Sequence, residues 1–177
     1  PVHVGYIVDG NRRWAKRRGL KPWEGHAAGE KILEEVVLAT FDSGVKVVSA
    51  YVFSTENWKR SKQEVSILMR LLTKLLRTKL GVFEENNIRI VVLGSRQGLP
   101  GSVQKAIDEA VAATASHDGG TLALCLNYGG QQELVEVCKK IVRSGIEPQD
   151  IDETTLADNL YEPQLPPCDL IVRTSGE

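Results

Sequence analysis

Apolar, β-branched runs alternate with stretches of helical periodicity along the whole chain. Residues 3–8 predict a strand, and residues 25–43 predict a helix with Ile32, Leu33, Val36, Val37 and Thr40 near one face. Residues 45–53 form the second predicted strand. Residues 64–85 predict one long helix whose apolar stripe includes Val65, Leu68, Met69, Leu71, Leu72, Leu75, Leu76 and Leu80. Strands over 88–93, 121–127 and 169–172 follow, interleaved with helices over 102–116, 131–144 and 153–160. Parallel neighbours need crossover connections, and strands buried on both faces read as continuous apolar runs. The pattern therefore predicts an α/β fold: a single domain with a mostly parallel central sheet flanked by helices.

In open parallel sheets, ligands bind beyond the carboxyl ends of the strands. The segments at those positions are 9–14 (DGNRRW), 54–60 (STENWKR), 94–96 (GSR), 127–130 (NYGG) and 173–177 (RTSGE). Most are dense in charged, polar or glycine residues, which makes them the place to look for chemistry.

Bulk properties narrow the classes. The chain has 177 residues, the size of one ordinary domain, with 22 Lys and Arg against 23 Asp and Glu. A net charge of -1 gives no overall bias toward nucleic acid or an anionic membrane, so the basic run at 12–21 is a local feature. Cys125, Cys138 and Cys168 are odd in number and widely spaced, fitting reduced thiols of a cytoplasmic protein better than a disulfide framework. No apolar run is long enough to span a bilayer. The chain stops at Glu177, directly after an apolar run and a polar turn. The expectation is a catalytic domain over 1–177 that lacks a C-terminal part.

After the first strand, Gly10 lets a ligand approach the backbone, and a helix starting near Asn11 aims free N–H groups at an anion. Arg12, Arg13, Lys16 and Arg17 fall on one broad helical face, whose plain alternative is a solvated basic surface. Asp9 favours the functional reading, since Mg²⁺ takes one or two carboxylates together with phosphate oxygens. Trp14 and Trp58 are more often core or rim residues than ligand contacts. In 54–60, Ser54 or Thr55 could simply cap a helix with Asn57 as a turn residue, but this leaves Trp58 and Arg60 unexplained. His26 opens a helix where its ring could meet an anion. No Walker loop, GxGxxG, zinc spacing or Gly-x-Ser-x-Gly elbow is present.

Taken together, 3–15 (HVGYIVDGNRRWA), Gly25-His26-x-x-Gly29, 51–60 (YVFSTENWKR), 127–130 (NYGG) and 169–177 (DLIVRTSGE) strongly resemble the cis-prenyltransferases. These Z-type polyprenyl diphosphate synthases include the undecaprenyl and dehydrodolichyl diphosphate synthases. The motifs arrive in the family's order and spacing over the whole chain. The resemblance implies Mg²⁺-dependent condensation of isopentenyl diphosphate with an allylic diphosphate, farnesyl or geranylgeranyl diphosphate, in isoprenoid biosynthesis. Asp9 would bind the metal and assist departure of the allylic diphosphate. Gly10, Asn11, Arg12, Arg13, His26 and Arg60 would hold that diphosphate, with Trp14 beside them, and Arg173 would hold isopentenyl diphosphate. Ser54, Thr55, Glu56, Asn57 and Trp58 would line the reaction centre.

Asn57 matches the residue often given as the final proton acceptor. A carboxamide is a very weak base, so an orienting role by hydrogen bonding is the expectation here. The resemblance also implies a hydrophobic tunnel between the sheet and two helices, for which the faces over 32–40 and 65–80 are candidates, with core packing as their plain alternative. It further implies a homodimer of the complete protein and peripheral membrane contact through the lipid product. The family's arginine four residues before the matching histidine is Pro22 here, with Lys21 as the candidate substitute, and Gln131 stands where many members carry arginine. Two rivals fit less well. A noncatalytic accessory subunit typically loses the first motif, and a nucleic-acid binder needs the net charge and stacking platforms this chain lacks. A trans-prenyltransferase needs DDxxD motifs and an all-helical pattern.

Overall fold

The structure, a computed structural model, describes residues 1–175. Along the chain it forms β1 (His3–Ile7), α1 (Asn11–Arg17), α2 (Pro22–Asp42), β2 (Val47–Ser54), a 3₁₀ turn (Thr55–Lys59), α3 (Lys62–Thr78) and α4 (Leu80–Glu85). β3 (Ile88–Leu93), α5 (Gly101–Ala113), β4 (Gly120–Tyr128), α6 (Gly130–Ser144), a second 3₁₀ turn (Pro148–Asp150), α7 (Glu153–Asp158) and β5 (Leu170–Val172) follow. Among the described residues the strands make one five-stranded sheet in the order β3-β4-β2-β1-β5, with every pairing parallel. The expected α/β architecture is therefore realised, with a parallel rather than mixed sheet.

Alternation along β4 separates two layers. Leu122, Leu124 and Leu126 join the main core with Val37 of α2, Leu72 and Leu76 of α3, and Val103 and Ile107 of α5. Ala123 and Cys125 point the other way and are buried, as are Val137 and Ile141 of α6. Burial, reinforced by the Glu133 carboxylate on α6, pushes the Cys125 thiol up to about 12. The free edge of β3 is covered rather than exposed: the Ile90 N–H donates to the buried Thr114 hydroxyl at 2.9 Å, just past α5.

Two element boundaries differ from the sequence expectation. α2 begins at Pro22 rather than residue 25, because Pro22 occupies the first helical position, where a missing N–H costs nothing. The Lys21 N–H donates to the Glu24 carboxylate at 2.8 Å, which completes that start. The long helix expected over 64–85 breaks at Lys79 into α3 and α4. Gly81 weakens helical continuation there, and the turn carries Phe83 into the core.

The first turn of α1 packs onto α2 through two glycines one turn apart. A Cβ on Gly25 would strike the Asn11 carbonyl oxygen, and one on Gly29 would lie 2.6 Å from the Asn11 carboxamide. Gly25→Ala is thus expected to cost about 1–3 kcal/mol. Gly101→Ala, with open space around it, should be neutral or stabilising by up to about 1 kcal/mol. Urea unfolding of the two variants checks the contrast; equal stabilities would refute the close approach of α1 to α2.

Candidate active site

β1 ends at Ile7, and Gly10, at φ 90°, turns the chain sharply into α1. That left-handed position suits glycine, and a Cβ there would also crowd Ser175 at 3.1 Å. The turn leaves Asp9 at the top of the sheet beside the segment after β5. Its Oδ1 accepts from the Gly10 N–H at 2.6 Å. Its Oδ2 accepts from Arg173 Nη2 at 2.8 Å, Ser175 Oγ at 3.1 Å and Arg13 Nη2 at 3.2 Å. The Arg173 hydrogen bond first, helped by those of Gly10 and Ser175 and the charge of Arg13, holds the Asp9 carboxyl below its ordinary range against the opposing effect of burial. Asp9 is therefore an ionised, half-exposed carboxylate set among cations.

A second cluster adjoins it. Glu64, in the first turn of α3, pairs with Arg60 at 3.1 Å and with Arg12 at 3.4 Å, so one acid orients two guanidinium groups. Asn11, His26, Asn57 and Arg60 line the mouth of a cavity of about 100 Å³ that runs between α2, α3 and the strand ends over Leu33, Leu68, Leu71, Leu72 and Leu75. Glu30 is a further polar residue on its wall. These apolar residues belong to the two faces expected to form a tunnel. His26 Nε2 is buried without a hydrogen-bond partner among the described residues. Burial, then the positive charges of Arg60 and Arg12, lower the His26 pKa below 6.5, with Glu64 opposing. His26 is thus neutral at physiological pH.

The 3₁₀ turn after β2 fixes the remaining residues. Asn57 Oδ1 accepts the Ser54 N–H at 3.2 Å, so the capping arrangement exists and Asn57 also faces the cavity. With its oxygen so used, Asn57 presents its amide N–H groups. Trp58 stacks edge-on against Phe53 at 5.2 Å and donates its indole N–H to Asn127 Oδ1 at 2.7 Å. Thr55 packs on Gly129, where a Cβ would meet its hydroxyl. Glu56 is exposed.

The basic run divides. Arg12 and Arg13 turn into the site, whereas Arg18 lies over the Trp14 ring at 4.3 Å and Lys21 over the Trp23 ring at 4.9 Å. Trp14 and Lys21 thus make stacking contacts, with Arg18 and Trp23 respectively. Gly176 and Glu177 lie outside the described residues.

Two residues that organise the site were given no individual role from sequence. Asn127, 4% exposed and at φ 51°, accepts from Trp58 and donates to the Ser95 and Gln97 carbonyls at 2.8 and 2.9 Å. It lies at the carboxyl end of β4, within the segment 127–130 that the strand-end rule marks. Glu64 follows Arg60 by four residues, a readable helical ion-pair spacing. Ser175 lies beside Arg173 in the strand-end segment 173–177 and donates to Asp9.

A parallel α/β sheet with a carboxylate and arginines at its strand ends, opening onto an apolar channel, is the architecture of an enzyme for amphiphilic anions. Residues 7–177 match the family described as "Putative undecaprenyl diphosphate synthase". The chain is 42% identical over 183 residues to the tritrans,polycis-undecaprenyl-diphosphate synthase (geranylgeranyl-diphosphate specific) of Pyrococcus abyssi, covering 100% of this chain and 69% of that protein. It is 40% identical over 181 residues to the isoprenyl transferase of Bacillus subtilis, covering 100% of this chain and 70% of that one. The crystal structure of lavandulyl diphosphate synthase from Lavandula x intermedia in complex with dimethylallyl diphosphate superposes with a TM-score of 0.89 at 31% identity, over 93% of this chain and 72% of that one. A probable undecaprenyl diphosphate synthase from Campylobacter jejuni gives a TM-score of 0.75 at 27% identity, over 92% and 70%. The chain belongs to this family of cis-prenyltransferases.

His26 links the site to stability. Because its native pKa is depressed, the unfolded chain binds more protons between the native value and 6.5, so stability rises with pH through that window. His26→Gln is expected to flatten the rise in urea midpoints between about pH 5 and 7; an unchanged slope would assign it to other groups. Asn127→Ala strands an indole N–H and two carbonyls, and calorimetry is expected to read a loss of about 2–4 kcal/mol.

Proposed function

We propose that this chain condenses isopentenyl diphosphate with an allylic diphosphate, farnesyl or geranylgeranyl diphosphate, to give a Z-polyprenyl diphosphate and free diphosphate. The observation that carries this reading is polarity: a mouth lined by Arg60, His26, Asn11 and Asn57 opens directly onto an apolar channel, with Asp9, Arg12 and Arg13 at its rim. A prenyl diphosphate has the matching form, a multiply charged head on a hydrocarbon tail.

The head would lie over the start of α1, where backbone N–H groups, Arg12, Arg13 and Arg60 meet its oxygens. Arg173 and Ser175, joined to Asp9 across the sheet top, would receive isopentenyl diphosphate. Asp9 fits a Mg²⁺ ligand: it is ionised, partly exposed and beside the anion site, and this metal favours few carboxylates completed by phosphate oxygens and water. When bound, Mg²⁺ supplies positive charge to the departing diphosphate. The arginines supply more, from positions that Glu64 and Asp9 have already fixed. As the allylic C–O bond breaks and the new C–C bond forms, a proton must leave the added unit. Asn57, its oxygen held by Ser54, offers donors that orient the reactants, and a diphosphate oxygen is the stronger base.

Apolar side chains exposed on α6, Leu134, Val135 and Val142, support a homodimer. No described helix is long and apolar enough to cross a membrane; peripheral membrane contact through the lipid product goes with the prenyl-transfer reading.

The test is incubation with labelled isopentenyl diphosphate and farnesyl or geranylgeranyl diphosphate, with and without Mg²⁺. A labelled lipid product that requires the metal is expected, and Asp9→Ala should reduce its rate by about 10²–10³-fold. Failure of the wild type to make lipid would defeat the prenyl-transfer reading, whereas full activity in Asp9→Ala would remove Asp9 as the metal ligand.

A further inference from the structure

The side of α3 turned away from the leucine channel borders an open groove of about 710 Å³, closed on its other side by the start of α5. Lys62, Arg70, Lys74 and Arg77 line it at spacings that put them along one stripe of α3. Arg60 is shared between this groove and the active-site mouth. Trp58, Val65, Met69 and Pro100 give the groove an apolar floor, and no described Asp or Glu lines it. Two of the five cations are answered from outside the groove, Arg60 by Glu64 at 3.1 Å and Arg77 by Glu109 at 3.7 Å. Lys62, Arg70 and Lys74 are exposed and form no ion pair among the described residues. In a chain of net charge -1 this is a local excess of positive charge.

We propose that this groove is a docking surface for an anionic phospholipid bilayer, and that the contact belongs to the protein itself, so that it forms without substrate or product. The charges are complementary: a row of cations above an apolar floor matches phosphate headgroups above acyl chains. Lysine and arginine suit the task because their stems lie along apolar surface while their charged ends reach outward. Trp58 fits the same boundary, since it is 37% exposed while its indole N–H is already satisfied by Asn127. Lys62, Arg70 and Lys74 are held in place by no acid, which matches mobile headgroups better than the fixed carboxylates of a folded partner. Position supplies the use. Under the prenyl-transfer reading the product is a lipid that water does not dissolve, and a bilayer seated on this groove would lie against Arg60, at the mouth from which that lipid leaves. The docking itself does not depend on that reading.

The test is co-sedimentation of the substrate-free protein with vesicles of phosphatidylcholine alone or mixed with phosphatidylglycerol. Binding to the mixed vesicles only is expected, and it should weaken as salt is raised. Arg70→Gln with Lys74→Gln keeps good helix formers on an exposed face. Each cation near an anionic surface is worth roughly a fivefold change in binding, so this pair should bind about 25-fold more weakly. Lys46→Gln with Lys139→Gln removes the same charge at the amino-terminal end of β2 and on α6, outside the groove, and should bind as wild type does. Three results would each overturn the docking surface: no binding to the mixed vesicles, undiminished binding by the Arg70 and Lys74 variant, or an equal loss in the Lys46 and Lys139 variant. Retention on immobilised polyglutamate without vesicle binding would do the same, and would assign the groove to an acidic protein partner. A wild type that binds mixed vesicles but makes no lipid would defeat the prenyl-transfer reading and leave the docking surface standing.

Discussion

The Asp9 carboxylate is the point on which the site depends. It stands where β1 gives way to α1, and it accepts hydrogen bonds from Arg13 on that helix and from Arg173 and Ser175, more than 160 positions later in the chain. Such pairs are partly exposed and contribute little to folding stability. What they fix is geometry. β1 and β5 are already neighbours in the sheet, and the carboxylate turns that adjacency into a shared binding surface at their carboxyl ends. The close approach of α1 to Gly25 and Gly29 of α2 provides the other half of the frame, since it sets Asn11 and His26 side by side at the cavity mouth.

Much of this was legible in the sequence because parallel sheets write themselves plainly: buried strands as apolar runs, crossovers as helical periodicity, and ligand sites as polar strand ends. Asp9, Arg13 and Arg173 could be read from that rule together. The break at Lys79 could not be read so easily, because apolar residues continue past it to Leu80 and the one local signal, Gly81, is weak beside the burial of Phe83. Nor could sequence divide the basic run at 12–21. Which cation enters the site depends on partners distant in the chain, Glu64 for Arg12, or on a local ring, Trp14 for Arg18 and Trp23 for Lys21. Asn127 stood in a quoted strand-end segment, but its role could not be read for a similar reason: it joins Trp58 to two carbonyls after β3, a convergence that no local pattern records.

Charge is graded along the channel. At the mouth arginines stand beside acids; one turn into α2 the neutral His26 faces a desolvated space; below it the lining is largely apolar, with Glu30 on the wall and Glu34 and Lys79 beside a deeper cavity. The lowered pKa of His26 belongs to this gradient. An imidazolium there would add a buried positive charge beside Arg60 and Arg12, whereas a neutral ring can offer either a donor or an acceptor without one.

The gradient also fixes the direction in which a chain can grow. A diphosphate cannot descend among the leucines, because an anion moved into that surrounding loses hydration that nothing there replaces. The hydrocarbon tail gains by entering it, at roughly 0.8 kcal/mol for each buried CH₂. Each new unit is joined at the charged end, so each cycle must return the head to the arginines and drive the tail one unit deeper. An enzyme of this kind needs no moving part to keep count: the depth of the apolar channel, and whatever ends it, converts the number of condensations into a length.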